Sequence, residues 1–145
     1  MSNSSLGVDL GTTWTAAAVQ HAPGVPAEPL NLAGADPAMP SVVAVVDGDV
    51  IAGEKAARIS ATDPASAARE FKRRLGDTTP IVVAGVPFGA ETLMGHLLGQ
   101  VRELVGHVRH VHGAHKLGLE LRVDRCLDVL DRARGAGGLG AARLA

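Results

Sequence analysis

The stretch Gly7-Val8-Asp9-Leu10-Gly11-Thr12-Thr13 constrains this chain more than any other, because it sets an acidic side chain beside a turn of phosphate size. Leu6 to Leu10 reads as a short buried strand carrying Asp9, and Gly11 opens a tight turn in which backbone N–H groups approach an anion. Thr12 and Thr13 add two hydroxyl donors, and the apolar run Trp14 to Val19 leads back. The pattern is strand, phosphate turn, strand. It differs from a Walker loop, GxxxxGK[ST] before a helix, and from a dinucleotide fingerprint, GxGxxG. Taken alone, it also suits an ordinary hairpin whose glycine serves the turn and whose threonines favour β-structure.

Three further motifs come after it in order: Met39-Pro40-Ser41-Val42-Val43, Val50-Ile51-Ala52-Gly53-Glu54-Lys55-Ala56-Ala57 and Phe71-Lys72-Arg73-Arg74-Leu75-Gly76. Together with GVDLGTTWTAAAV they resemble the seventy-kilodalton heat-shock chaperones of DnaK type, particularly their shorter and more divergent bacterial relatives. The likeness covers Leu6 to about Val105. Sugar kinases share a similar first hairpin, and bacterial actins a related one, but neither combines the P-S-V strand with F-K-R-R-L-G.

The resemblance implies an α/β fold: a truncated part of an actin-like ATPase (ribonuclease H-like) lobe, with β-hairpins followed by helices. It implies ATP and Mg as cofactors. Asp9 would face the water shell of the metal, so that it is a metal residue through water. The amides and hydroxyls of Gly11, Thr12 and Thr13 would hold the β- and γ-phosphoryl oxygens. Lys72 would be the catalytic lysine, reaching the γ-phosphate and the attacking water in a reaction governed by positioning and charge. Without the resemblance, Lys72 in the run Lys72-Arg73-Arg74 reads as a solvated lysine at a helix C-terminus. Trp14 stands where the family often has a residue at the mouth of the nucleotide cleft, and core packing explains it equally well.

The sequence has no D-x-G-G-G-T loop and no G-G-x-[ST] segment, and its V-P-A, Val25-Pro26-Ala27, lies far ahead of the place after the helix at 90–105 where the family ends a strand with it. ATP binding without effective hydrolysis is therefore expected, with ATP and ADP as partners. Unfolded peptides and co-chaperones would be partners only of a complete homologue. A non-catalytic remnant or interaction module is the alternative, and a sugar kinase fragment a weaker one.

Composition narrows the field further. A formal net charge of -1 gives no electrostatic footprint for nucleic acid or an anionic membrane. Aromatic residues make up 2%, too few to stack bases. The single cysteine, Cys126, excludes an internal disulfide, reads as a small apolar filler and suits a reducing compartment. Met1 to Ser5 begins no secretory signal, and no apolar run approaches the ~20 residues that span a bilayer. A soluble cytoplasmic protein is expected.

Val42 to Val46, Asp47-Gly48 and Val50-Ile51 form a hairpin pattern with a type I′ turn. Between the two hairpins, His21 to Pro40 holds five prolines and reads as a loop with an edge strand around Leu30 to Leu32. Asp63-Pro64 offers a helix start, which predicts a helix over Ala65 to Leu75 stopped by Gly76. Ile81 to Val83 and Val86 to Phe88 read as short strands. Ala90 to Val105 reads as an amphipathic helix, with Leu93, Leu97, Leu98, Val101, Leu104 and Val105 on one face.

The composition changes near Gly106, dividing the chain into residues 1–105, the N-terminal part of a nucleotide-binding domain, and residues 106–145, a divergent or out-of-frame tail. His107, His110, His112 and His115 crowd together, and Arg, Gly, Ala and Leu dominate the remainder of the tail. Out-of-frame translation of a GC-rich message yields such a stretch, and a natural divergent tail is the other reading. The histidine spacing admits zinc, but no cysteine or carboxylate lies among them and glycines deny a rigid frame, which favours a compositional accident. Leu117 to Val123 alternates in strand fashion. With later strands missing, the sheet containing Val8 and Val43 is expected to expose an unpaired edge, and the helix at 90–105 an unpartnered apolar stripe. Both features predict marginal stability and self-association.

Overall fold

A computed structural model describes residues 5–111 and 120–122. Two strands open it, β1 (Ser5–Leu10) and β2 (Trp14–Gln20), paired antiparallel from Ser5↔Gln20 to Leu10↔Thr15. Period-2 alternation splits this hairpin cleanly. Leu6, Val8 and Leu10 share the core face with Thr15, Ala17 and Val19, while Gly7 and Asp9 lie exposed on the other face. The proline-rich segment after β2 supplies only β3 (Glu28–Leu30) and β4 (Ala38–Pro40), both antiparallel to β2.

The apolar run becomes β5 (Val43–Val46), which turns into β6 (Asp49–Ala52) through Asp47 and Gly48, at φ 52° and 88°. Two successive positive φ values make the expected type I′ turn. β5 is apolar over Val43 to Val45 because both faces are covered there, and Val46 at its end is exposed. Val43 and Val45 join the main core, and Ala44 joins a second cluster with Val42 and Ala56.

Helix α1 (Glu54–Thr62) comes at once and takes up the second half of the motif Val50 to Ala57. The helix expected over Ala65 to Leu75 does not form. Pro64–Ser66 makes one 3-10 turn, then β7 (Ala67–Ala68) pairs antiparallel with β5, and Phe71–Arg74 forms a second 3-10 turn. Helix propensity loses here to the unpaired edge of β5, which takes Ala67 and Ala68 as ladder partners. Glu70 between them sits in the left-handed region, at φ 54°, and ends any continuous helix.

A small two-stranded sheet of β8 (Ile81–Val83) and β9 (Val86–Phe88) leads into α2 (Ala90–Val111). Ala84 occupies the first turn position of that hairpin with φ 50°. A β-carbon is disfavoured there by roughly 1 kcal/mol, and asparagine is the residue that type I′ turns accept. Ala84→Asn is therefore expected to raise stability by about 0.5–1 kcal/mol in a thermal melt. A lower melting temperature would contradict the turn assignment.

α2 runs six residues past the end expected from sequence, straight through Gly106. A single helix-interior glycine costs only about 1 kcal/mol and does not stop a long helix. Its apolar face is not left open: Leu93, Met94, Leu97, Val101 and Val105 are buried in the main core with Phe71, Met39 and Val43. The expected unpartnered stripe is corrected by this packing. Two further corrections concern the sheets. Val8 and Val43 belong to different sheets, and the free edge of β1 is paired in parallel by β10 (Glu120–Arg122), in register Ser5↔Glu120 to Gly7↔Arg122. The rest of the tail, with His112, His115 and Cys126, lies outside the described residues. The architecture of the described residues is thus mixed α/β, largely antiparallel sheets with two helices, compatible with part of an ATPase lobe. No helix among the described residues is long and apolar enough to cross a membrane.

His96 on α2 meets the Phe88 ring edge-on, centroids 6.5 Å apart at 82°. Partial burial pushes its pKa below the ordinary 6.5. The folded state then prefers the neutral ring, so this contribution is complete above pH 6.5 and is lost as pH falls through the lowered value. Between about pH 7 and about pH 5, the chain should lose more stability than His96→Gln does. Parallel losses in the two proteins would show that the contact carries no such linkage.

Candidate phosphate site

The turn Gly11–Thr13 is built by close backbone approach. A β-carbon on Gly11 would stand 2.2 Å from the Trp14 carbonyl oxygen, so only glycine fits. Ser41, buried between β4 and β5, holds the turn from beneath. Its Oγ donates to the Gly11 carbonyl at 2.9 Å, and its backbone N–H donates to the Thr13 carbonyl at 2.9 Å. The Ser41 hydroxyl proton is thereby used, so the 2.9 Å contact with buried Thr15 has the Thr15 hydroxyl as donor. Two carbonyls that would repel an anion are turned inward and satisfied. Thr12 makes no hydrogen bond among the described residues, which leaves its donors to the outside.

Lys72 arrives from 62 positions further along the chain: its Nζ donates to the Leu10 carbonyl, at the end of the strand that opens into the turn. Phe71 next to it is buried in the main core, which fixes the 3-10 turn while Lys72 itself stays on the surface. Arg74, in the same 3-10 turn, binds Asp77 at 3.0 Å. The Thr79 amide first, and then Arg74, hold the Asp77 carboxyl below its ordinary pKa.

Thr12 and Thr13 share a cleft of about 70 Å³ with Ser41, Val42, Arg69 and Glu70. Pockets that enclose drug-sized ligands measure roughly 300–1,000 Å³, so this one is of a size for a phosphate end and not for a nucleoside. Asp9 is exposed on the opposite face of β1 from Leu10, with small Gly7 and Ala16 beside it, and forms no ion pair among the described residues. Trp14 is 57% exposed, which rules out core packing for it and leaves the indole at the rim of the turn. The structure therefore brings Gly11, Thr12, Thr13 and Lys72 together, and sets Asp9 and Trp14 around them in the open. No group of three or more His, Cys, Asp or Glu side chains with metal-binding geometry occurs among the described residues.

Sequence reasoning passed over Ser41, Thr15, Arg69 and Glu70 as site residues. Ser41 carried a readable signal: a serine heading a continuous apolar run must be buried, and a buried hydroxyl needs partners.

Two chaperone proteins DnaK, from Endomicrobium trichonymphae and from Elusimicrobium minutum (strain Pei191), are each 35% identical to the chain over 103 residues. That stretch is 68% of this chain. The chain is related to the DnaK-type chaperones. It spans 16% of the length of these relatives, and no family profile matches it. The DnaK likeness rests on identities along the chain, and the assembled turn rests separately on the contacts of Ser41 and Lys72.

Proposed function

We propose that this DnaK-type chain carries the phosphate-binding edge of an actin-like ATPase site and binds magnesium-ATP weakly without turning it over. The observation that supports this most is the contact of Lys72 with the Leu10 carbonyl, which brings the two chemistry-bearing motifs to one point. The donors fit a phosphate chain: amides and hydroxyls on the turn, an ammonium beside it, and inward-turned carbonyls. Magnesium would supply charge neutralisation to the phosphates, and Asp9 would hold it through water. Gly11, Thr12 and Thr13 would bind the β- and γ-phosphoryl oxygens, and Lys72 would place positive charge where hydrolysis in a complete site needs it. Trp14 would flank the cleft mouth.

The small cleft favours binding without catalysis. Positioning of the nucleoside needs a second wall that a 70 Å³ cleft does not provide. Peptide and co-chaperone binding are proposed only for a complete homologue, and a cytoplasmic setting is proposed from the single cysteine.

Trp14 is the sole tryptophan and stands next to Thr13, so its fluorescence reports the site. A titration with magnesium-ATP should give an affinity weaker than micromolar, near the ~4 kcal/mol of a millimolar complex. Thr12→Ala and Thr13→Ala should each weaken it by about 1 kcal/mol, more if the phosphate charge strengthens the bond. Phosphate release should not exceed background. Micromolar or tighter binding abolished by Asp9→Ala would show a completed cleft, and no response at all would remove the proposal.

A further inference from the structure

We infer that Arg69 is a second cation of the phosphate cleft and binds the polyphosphate chain of the nucleotide, an inference that rests on Thr12 and Thr13 holding phosphate. Arg69 lines the same cleft as those two threonines. Its backbone is fixed on both sides: Ala68 is buried and laddered to Val43, and Phe71 is buried in the main core. Between these anchors Glu70 takes up the left-handed conformation, at φ 54° and ψ 17°. A non-glycine residue held there is strained, and such strain concentrates where a chain presents groups to a ligand.

The guanidinium is aimed as well as placed. Arg69 Nε donates to the Ser60 hydroxyl at 2.8 Å, and Ser60 is itself buried on α1. With Nε held, the two terminal nitrogens remain as a fork, the arrangement that suits a phosphate group. Nearby arginines are committed elsewhere. Arg58 pairs with Glu54 at 2.5 Å, Arg73 with Glu70 at 3.4 Å and Arg74 with Asp77 at 3.0 Å. Arg69 has no carboxylate partner among the described residues. The Glu70 carboxylate also lines the cleft, and its pairing with Arg73 offsets its charge there. Lys72 at the strand end and Arg69 at the cleft wall would thus neutralise successive parts of one anionic chain.

The test uses the full chain, Trp14 fluorescence, and three probes: magnesium-ATP, magnesium-tripolyphosphate and adenosine. Arg69→Gln should weaken both phosphate probes about tenfold, the loss of one charge-assisted contact, and flatten their salt dependence. Arg69→Lys should recover part of the affinity, and Arg58→Gln should leave it unchanged. Arg69 is exposed but bonds the buried Ser60 hydroxyl, so a thermal melt of each variant separates a loss of stability from a loss of binding. If Arg69→Gln binds both phosphate probes as well as the parent chain while Thr13→Ala weakens them, the inference fails and the phosphate site stands. If Arg69→Gln weakens ATP but not tripolyphosphate, the arginine reads the nucleoside and the inference also fails. If the parent chain responds to neither phosphate probe, both readings fall together.

Discussion

Phe71→Ala is expected to cost about 3–5 kcal/mol, the range for deleting a buried phenyl ring, against a total stability of roughly 5–15 kcal/mol for a domain. Phe71 is 2% exposed and packs into the main core with Leu93 and Leu97 of α2, Met39 and Val43. It belongs to a four-residue 3-10 turn and is the buried side chain of that turn, so its ring is the chief anchor. Loss of the ring should free Lys72 from the Leu10 carbonyl and Arg69 from the cleft. Stability and phosphate response would then fall together. Phe71→Leu, which keeps most of the volume, should retain both in large part. Urea unfolding of the two variants measures the difference, and a cost below about 1 kcal/mol for Phe71→Ala would show that the turn is anchored elsewhere.

Gly11→Ala is expected to open the phosphate turn. The added β-carbon would meet a backbone oxygen at 2.2 Å, and a carbonyl cannot swing aside as the end of a flexible side chain does. The turn must reopen, at a cost of at least about 1–3 kcal/mol for overpacking. The Ser41 bonds to the Gly11 and Thr13 carbonyls would be strained or lost, and the Trp14 response to phosphate with them. Gly7→Ala is the matched control on the same strand: its β-carbon would find only the Ala18 carbonyl, at 3.9 Å. That change should stay within about 0.5 kcal/mol. Equal effects of the two substitutions in a thermal melt would mean that the Gly11 approach does not decide the turn.

What was legible in the sequence was what local chemistry determines. Alternation and the turn residues Gly11, Asp47-Gly48 and Gly85 gave the three hairpins, and the spacing of Leu93, Leu97 and Val101 gave α2. Ala65 to Leu75 misled because its helix propensity was real but weak, and pairing of Ala67 and Ala68 with β5 outweighed it. Asp63-Pro64 did start a helical turn, which ended after Ser66. The expectation of open apolar surface failed for a related reason. Burial of Val101 and Val105, and the pairing of Ser5 to Gly7 by residues 120–122, depend on contacts across the chain that no local pattern records. Among the described residues, exposed Val82 and Val86 on the β8–β9 hairpin, with Trp14, Val25 and Val46, are the large apolar side chains left on the surface.

Gly11, Thr12, Thr13 and Lys72 were readable as candidates, but their mutual placement was not. Lys72 is a solvated lysine of a basic run by residue type alone and the catalytic lysine by resemblance, and neither reading gave its contact with the Leu10 carbonyl beside the buried Phe71. Ser41 looked like part of a strand, and it is the brace of the turn.

In the proposed function, the triphosphate of magnesium-ATP sits on the turn Gly11–Thr13 beside Lys72. The most direct measurement is a magnesium-ATP titration of the isotope-labelled chain, following backbone amide resonances residue by residue. The largest shifts should fall on Gly11, Thr12 and Thr13, with a smaller group at Arg69 to Lys72, and Lys72→Ala should shrink both sets. Shifts centred elsewhere, for instance on the β8–β9 hairpin, or none at millimolar nucleotide, would contradict it.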